Sequence, residues 1–303
     1  MIRSPASRHP LFWGAVLALC AAFGGQSLAS VPAAAAPTSP VSGYRYVQQD
    51  SAFNSASARS VSARCPRGKV VLAGGAYIVG GGQRVLLRGS YPVHSFSGDW
   101  WTASAEEFAA GGTSAGWQVR SYAVCANRPA GLTYGAVSSA SDSSSPKSVR
   151  QNCPVGTQII GVGARVIGAD YRVGLNAITI TSDHSTSARA SEATATRQKW
   201  SVVSHAVCAR PLGQVFRETG HWVNTGSTPP PTATANCPQG SLAFGAGLRF
   251  RANLAGLNRL VPLEVRPTQP LSPAPARARA TVSELAQGIP GTLQFRAQVI
   301  CAR

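Results

Sequence analysis

The chain has 303 residues, and 28 Lys and Arg against 11 Asp and Glu give it a formal net charge of +17. Beyond the N-terminal region, no stretch is apolar enough to cross a membrane as a helix. The composition therefore excludes a multi-span helical membrane protein, and the positive excess favours anionic partners.

Residues 1–35 have the layout of a secretory signal peptide. Arg3 and Arg8 give a basic start, an apolar run covers residues 11–23, and small residues follow up to Ala35. The run is too short for a membrane span. We predict cleavage near Ala35 and a soluble, secreted mature chain, whose net charge is +15 because removal of Arg3 and Arg8 leaves 26 basic and 11 acidic residues.

Three nearly identical phrases divide the mature chain into repeats. They are RCPRGKVVLAGGA at 64–76, NCPVGTQIIGVGA at 152–164 and NCPQGSLAFGAGL at 236–248. The repeat units cover residues 44–129 (unit 1), 132–211 (unit 2) and 214–303 (unit 3). Because the connections between them are short, we expect the units to pack against one another.

Six cysteines follow the leader, which itself contains Cys20. Leu19 precedes Cys20 where a lipid-anchoring signal needs a small residue, so we do not predict a lipid anchor. An even number of cysteines in an exported chain favours disulfides. In each unit one cysteine lies in Cys-Pro-x-Gly and the other ends a strand-like phrase, so the repeat predicts Cys65–Cys125, Cys153–Cys208 and Cys237–Cys301. Close Cys or His pairs that would hold zinc are missing, and we predict no metal and no cofactor.

Each unit contains the same succession of predicted strands. An apolar run follows Cys-Pro-x-Gly, then come a second strand, a polar alternating strand and a closing strand such as WQVRSYAVC at 117–125. Glycines in the first run argue against helix. We predict four or five antiparallel strands per unit, with Trp117, Trp200 and Leu293 in the core at one shared position.

The pattern resembles a group of secreted disulfide-repeat proteins of high-GC bacteria, most of them without a known activity. More remotely it resembles the vitelline membrane outer layer protein family, in which a Leu-Asn-x-Ile strand follows the Cys-Pro-x-Gly strand. GLNAITI at 174–180 and GLNRLVPL at 256–263 carry this match, whereas RVLLRGS in unit 1 has no Leu-Asn and the family's acidic pair is missing. The resemblance implies an all-β fold, a β-prism of three antiparallel sheets in a threefold internal repeat. It also suggests contact with carbohydrate and carries over no catalytic residue. The alternative is three tandem small β-sandwich units.

Two motifs could indicate catalysis. Ser114 lies in a Gly-x-Ser-x-Gly sequence, but a nucleophile elbow needs a strand before it and a helix after it, whereas a strand follows here. Glu106 and Glu107 are adjacent, so in a strand they point to opposite faces, and we predict a solvated strand end. We therefore predict that the protein is not an enzyme.

Five aromatic residues are candidate ligand contacts, because an exposed ring can stack on a sugar. Trp100 and Trp101 are adjacent and face opposite ways in a strand. The five candidates are Tyr91, Trp100, Trp101, Tyr171 and Trp222.

We predict a secreted, non-enzymatic module that binds anionic carbohydrate of the cell envelope or the extracellular space, such as a cell-wall polymer. The arginines are scattered and no nucleic-acid motif is present, so no specific nucleic-acid partner is predicted. The alternatives are a structural or protein-interaction component of the cell surface and a glycan-acting hydrolase. The oligomeric state stays open.

Overall fold

Six β-strands recur in each repeat unit of the computed structural model, with an additional two-residue strand in unit 3. The structure describes residues 41–108, 112–251, 256–269, 276–285, 291 and 293–303. The predicted signal peptide and Cys20 lie outside these residues. Within them, no helix is long and apolar enough to span a membrane.

The strand boundaries follow the repeat. Unit 1 has β1 (Arg45–Asp50), β2 (Ala58–Arg64), β3 (Val70–Gly80), β4 (Val85–Ser95), β5 (Gly98–Glu107) and β6 (Trp117–Ala126). Unit 2 has β7 (Thr133–Ser138), β8 (Lys147–Asn152), β9 (Gln158–Gly168), β10 (Val173–Ser182), β11 (Ser185–Glu192) and β12 (Trp200–Ala209). Unit 3 has β13 (Val215–Thr219), β14 (Val223–Asn224), β15 (Thr232–Asn236), β16 (Leu242–Phe250), β17 (Leu260–Thr268), β18 (Arg277–Glu284) and β19 (Gln294–Ala302). Single 3-10 turns cover Gly82–Arg84 and Leu257–Arg259.

Each unit divides its strands between two sheets. Sheet A has the order β1-β6-β3-β17-β18-β15, sheet B has β2-β5-β4-β9-β12-β7, and sheet C has β13-β19-β16-β10-β11-β8. In every sheet, three strands of one unit pair with three strands of another, and the three sheets use the three possible pairs of units. The predicted all-β, threefold, prism-like fold is confirmed. The expected strand count was too low, because the polar strands before each Cys-Pro-x-Gly turn lack an apolar pattern.

The central strands of the three sheets approach one another closely. A Cβ atom on Gly161 of β9 would lie 2.2 Å from the carbonyl oxygen of Leu72 on β3. A Cβ atom on Gly245 of β16 would lie 3.1 Å from the carbonyl oxygen of Ile160 on β9. Glycine in these strands therefore permits backbone contact between sheets, which explains the Gly-rich phrases.

The predicted core position is confirmed for Trp117 and Trp200, which are fully buried. Each indole N–H donates to a glutamate at the end of a neighbouring strand, Trp117 to Glu107 at 2.9 Å and Trp200 to Glu192 at 3.0 Å. The amide of Thr113 donates to the other oxygen of Glu107 at 3.2 Å. The prediction of a solvated strand end is therefore wrong for Glu107, whose carboxylate is buried and accepts a hydrogen bond at each oxygen.

The three disulfides join the predicted cysteines, Cys65–Cys125, Cys153–Cys208 and Cys237–Cys301. They close loops of 60, 55 and 64 residues. In the chain-entropy model each loop of this length contributes roughly 4 kcal/mol to the free energy of unfolding.

A β-bulge recurs in the second predicted strand of every unit, at Arg88, Asn176 and Leu263. In units 1 and 2 the bulged side chain donates hydrogen bonds to the loop that joins two strands of the next unit. The Arg88 guanidinium donates to four carbonyls between Gly168 and Val173, and the Asn176 amide donates to the carbonyls of Leu257 and Leu260.

The two Leu-Asn phrases of the sequence occupy different places. Asn176 is the bulge of β10, whereas Asn258 lies in a 3-10 turn before β17. The residue of unit 3 that matches Asn176 in the sheet is Leu263. A longer connection before β17 displaces the phrase from the strand, and sequence alignment alone could not detect that shift.

Candidate functional site

The adjacent pair Trp100-Trp101 lies on opposite faces of β5. Trp101 is fully buried, and its indole N–H donates to the Ser90 hydroxyl at 2.9 Å. Trp100 is partly exposed on the outer face of sheet B, and the Arg64 guanidinium lies 4.5 Å from its ring centroid. Trp101 is therefore a core residue and only Trp100 reaches the surface.

Tyr91 lies on the same outer face of sheet B as Trp100, because it pairs with Thr102 two residues along β5. Its ring contacts the Arg165 guanidinium at 5.1 Å and stacks on the His205 ring at 5.3 Å. His205 is buried, and burial together with Arg165 lowers its pKa to about 4. The imidazole is consequently neutral at pH 7, and Tyr91 is held between its two neighbours.

Tyr171 lies away from Trp100 and Tyr91, in the connection between β9 and β10. Arg172 contacts its ring at 5.5 Å. Arg172 also lines a shallow cavity of about 620 Å³ together with residues 195–198. This cavity lies in the loops that end the strands of unit 2.

Trp222 lies beside β14 at the edge of sheet C. The Arg296 guanidinium is 4.5 Å from its ring centroid. Arg296 pairs directly across the strands with Arg249 of β16. Both arginines line a groove of about 250 Å³ that also contains Arg217 and Gln298. The structure thus brings one of the predicted aromatic residues together with clustered arginine side chains.

A third arginine extends this arrangement across the sheet. Ile178 pairs with Leu248, so the preceding Ala177 of β10 lies next to Arg249 on the outer face. Ala177 in turn pairs with Arg189 of β11. We call Arg296, Arg249 and Arg189 the arginine row. It crosses four adjacent strands, with the small Ala177 between the second and third arginines.

Acidic side chains lie near the arginine row: Asp183 and Glu218 line the same groove as Arg249 and Arg296, and Asp183 pairs with Arg217 at 2.9 Å. Seven ion pairs involve described residues, and none includes a member of the row. Two like charges directly opposite each other on neighbouring strands destabilise a sheet. Arg249 and Arg296 therefore repel each other unless an anion lies between them.

Desolvation adds to this imbalance. Partial burial lowers the pKa of Arg296, and the neighbouring Arg249 lowers it further. Burial also lowers the pKa of Arg189. The Nε atoms of Arg189 and Arg296 are buried without a hydrogen-bond partner in the described structure. A bound oxyanion would supply the missing negative charge.

The residues that suggested catalysis have other roles. Glu106 forms an ion pair with the buried Arg88 at 3.5 Å, while Glu107 accepts from Trp117. Ser114 is exposed in the loop that precedes β6. The two carboxylates of the pair therefore point to separate partners, as expected for neighbours in a strand.

Sequence analysis predicted Trp222 as a candidate contact but missed the arginine row. Each arginine alternates with buried residues in its strand, as in LRF at 248–250, ARA at 188–190 and FRA at 295–297. That alternation could have placed every arginine on an outer face. It could not show that strands of units 2 and 3 share one sheet.

A scan of the sequence against protein-family models finds no match, and a search of curated proteins finds no match either.

Proposed function

We propose that this protein is a secreted, non-enzymatic binding module for anionic carbohydrate, and that the arginine row on sheet C carries the binding. The observation that supports this proposal is the group of partly desolvated guanidinium groups without carboxylate partners, with Trp222 against the first of them. The guanidinium groups on this face repel one another, and an anionic ligand reduces that repulsion.

The chemistry of the row favours carboxylate, sulfate or phosphate groups on a sugar chain. Guanidinium donates two parallel hydrogen bonds to such groups, and charge-assisted bonds are stronger than neutral ones. Trp222 stacks against Arg296 and limits its freedom, which reduces the entropy lost on binding. Three disulfides agree with an extracellular site of action, where acidic glycans are available. The remote resemblance to a carbohydrate-contacting β-prism family supports the same ligand class.

The proposal is tested by calorimetric titration of the full mature protein with polygalacturonate, with neutral dextran as the control polymer. We expect binding to polygalacturonate only. The double variant Arg249→Gln/Arg296→Gln should lose at least about tenfold in affinity, because each charge-assisted hydrogen bond contributes roughly 1.5–3 kcal/mol.

The matched control removes the same charge elsewhere. Arg45 and Arg67 are exposed and lie outside sheet C, so Arg45→Gln/Arg67→Gln changes the net charge equally. Its affinity should fall by less than about twofold at 0.15 M salt, where screening weakens distant charges. Equal losses in both double variants would show that the net charge binds diffusely. Absence of binding to any acidic glycan would favour the structural role, and release of shorter oligosaccharides would favour the hydrolase.

A further inference from the structure

The arginine row has a direction, because its members lie at one level on successive strands. From Arg296 the row passes to Arg249 on the next strand, over Ala177, and reaches Arg189 on the strand after that. Neighbouring strands are about 4.8 Å apart, so one interval separates Arg296 from Arg249 and two separate Arg249 from Arg189. The whole row spans roughly 14 Å at the level of the backbone.

Along β16 the charge continues to Arg251, whose guanidinium donates to the Gln294 side chain at 2.7 Å. On the four strands of the row, the next level of sheet C toward the disulfides consists of the neutral Gln298, Gly247, Thr179 and Ser187, and Arg150 of β8 lies beside Ser187. The Gln298 amide is already used, since it accepts from the amide of Ile180 at 3.0 Å and donates to its carbonyl at 2.9 Å. A ligand that follows the positive charge therefore lies perpendicular to the strands.

One small anion cannot satisfy the row. A single carboxylate or phosphate that contacts Arg249 and Arg296 leaves Arg189 two strand intervals away, with its buried Nε still unpartnered. Strand spacing is similar to the length of one pyranose ring in an extended polysaccharide. A linear chain with acidic groups on successive or alternate sugars therefore presents oxyanions at the intervals of the row.

From this geometry, and on the basis of the function proposed above, we infer that the ligand of sheet C is an extended, linear acidic glycan that crosses the strands from Trp222 to Arg189. The oxyanion is either a uronate carboxylate or a phosphodiester, since guanidinium accepts both. Ala177 leaves the chain room to pass between the second and third arginines.

Binding as a function of chain length tests this path. The probes are oligogalacturonides from one to about eight residues, and glycerol phosphate oligomers of matched length, titrated into the full mature protein. Affinity should rise at least about tenfold from the monomer to the tetramer and change little beyond it, because the row spans about three strand intervals. The oligomer series that shows this rise identifies the oxyanion.

Two variants locate the end of the path. Arg189→Gln should lower the affinity for the long oligomers by about tenfold and leave that for the monomer and dimer unchanged. Arg249→Gln should weaken all lengths. Arg45→Gln is the control, since Arg45 is exposed and lies on sheet A. Melting temperatures near that of the wild-type protein show that the variants are folded.

Three results are decisive. Length-independent binding, or an equal loss for short and long oligomers in Arg189→Gln, overturns the transverse path and leaves the proposed function in place. A loss for Arg45→Gln as large as that for Arg189→Gln shows diffuse attraction by the net charge and also overturns the path. No binding of any oligomer or of polygalacturonate overturns the proposed function itself.

Discussion

Sheets A and C are built from equivalent strands, but the charged side chains on their outer faces are paired differently. Ala76 lies eleven residues after Cys65 and Leu248 lies eleven after Cys237, and they pair with Val265 and Ile178 respectively. The residues that precede these partners, Glu264 in sheet A and Ala177 in sheet C, therefore hold equivalent places on the two outer faces.

Glu264 lies at the centre of the ionic contacts on the outer face of sheet A. Its carboxylate is buried and accepts from Arg266 at 2.7 Å, from Arg279 and from the Thr281 hydroxyl at 2.9 Å. Burial by itself would lower the pKa of Arg266, but Glu264, Tyr46 and Tyr122 together outweigh it and the pKa is raised. Arg266 also lies 4.5 Å from the ring of Tyr122. One carboxylate thus pairs with both arginines of this face and offsets part of their positive charge.

Sheet C lacks the central acid and keeps its charge. Ala177 separates Arg249 from Arg189 and offers no acceptor, and the pKa values of Arg189 and Arg296 are lowered where that of Arg266 is raised. The difference teaches that one side chain at the middle of the face decides between an ionic cluster closed within the protein and a row of arginines outside any ion pair of the described residues. Exchanging the two residues tests this directly.

Removal of the acid from sheet A should have the largest effect. Glu264→Gln keeps the size of the side chain but leaves Arg266 and Arg279 without a counter-charge, so we expect a loss of about 3 kcal/mol in the free energy of unfolding. Urea denaturation followed by circular dichroism measures this loss. Asp50→Asn is the matched control, because the Asp50–Arg120 pair on the same sheet is more exposed and should contribute less than about 1 kcal/mol. A Glu264 variant as stable as the wild-type protein would remove the basis of the comparison.

Sheet B offers a third state: the place equivalent to Glu264 and Ala177 is Gly89, and the neutral His205 imidazole lies at the next level of the same outer face. The pKa of His205 is about 4 in the folded protein, against about 6.5 in the unfolded chain. Above the unfolded pKa both states are neutral and the stability is complete. As the pH falls from about 6.5 to about 4, only the unfolded chain takes up the proton, so stability should decrease by up to about 3 kcal/mol and then level off.

This prediction is checked by urea denaturation of the wild-type protein and of His205→Gln between about pH 7 and pH 4. The difference between the two unfolding free energies should change with the predicted sign across that interval. A difference that stays constant with pH would show that His205 takes up its proton equally in both states, with burial and Arg165 exerting no effect on it.

Addition of an acid to sheet C should convert it toward sheet A. Ala177→Glu places a carboxylate between Arg249 and Arg189, and we expect a gain of about 0.5–1 kcal/mol in stability, since opposite charges on neighbouring strands attract. The same variant should lose at least about tenfold in affinity for polygalacturonate, because the guanidinium groups are occupied. Ala177→Gln is the control of equal size. Stronger glycan binding by the Glu variant would contradict the assignment of sheet C.

The smallest effect concerns simple anions. Because the arginine row of the wild-type protein is unpaired, sodium sulfate should raise the melting temperature more for the wild-type protein than for Ala177→Glu, by about 1–2 °C for a difference of roughly 0.5 kcal/mol. Differential scanning calorimetry at constant ionic strength, with sodium chloride as the reference salt, measures this difference. Identical responses to sulfate would mean that sheet C holds no anion at low concentration.

The sequence was sufficient to predict the strands with apolar patterns, the disulfide pairing and the threefold all-β architecture. The cysteine phrase repeats with nearly constant spacing, and Trp117 and Trp200 recur at a fixed distance from the second cysteine. The polar strands β1, β2, β7 and β8 escaped prediction because edge strands with solvated faces carry little hydrophobic signal. Their existence depends on pairing with distant strands.

The arginine row, which is the proposed binding surface, could not be predicted from local patterns. Arg189 and Arg249 are 60 residues apart in the sequence and belong to different units. They become near neighbours only because β10 pairs with β16 across a unit boundary. Aromatic residues were easier to single out than arginines, yet Trp101 proved to be core and only Trp222 lies beside the arginine row.

Because each unit divides its strands between two sheets, the fold also fixes the number of repeat units that the protein can contain. In an open solenoid, a repeat stacks only on its neighbours, so copies can be gained or lost at little structural cost. Here each sheet combines strands of two units. Units 1 and 2 share one sheet, units 2 and 3 share another, and units 3 and 1 share the last. A two-copy chain would leave central strands unpaired, and a fourth copy would have to widen the close approach at Gly161 and Gly245. Variation among the copies is therefore least restricted at the outward side chains, where one glutamate pairs with arginines on sheet A and an alanine takes its place on sheet C.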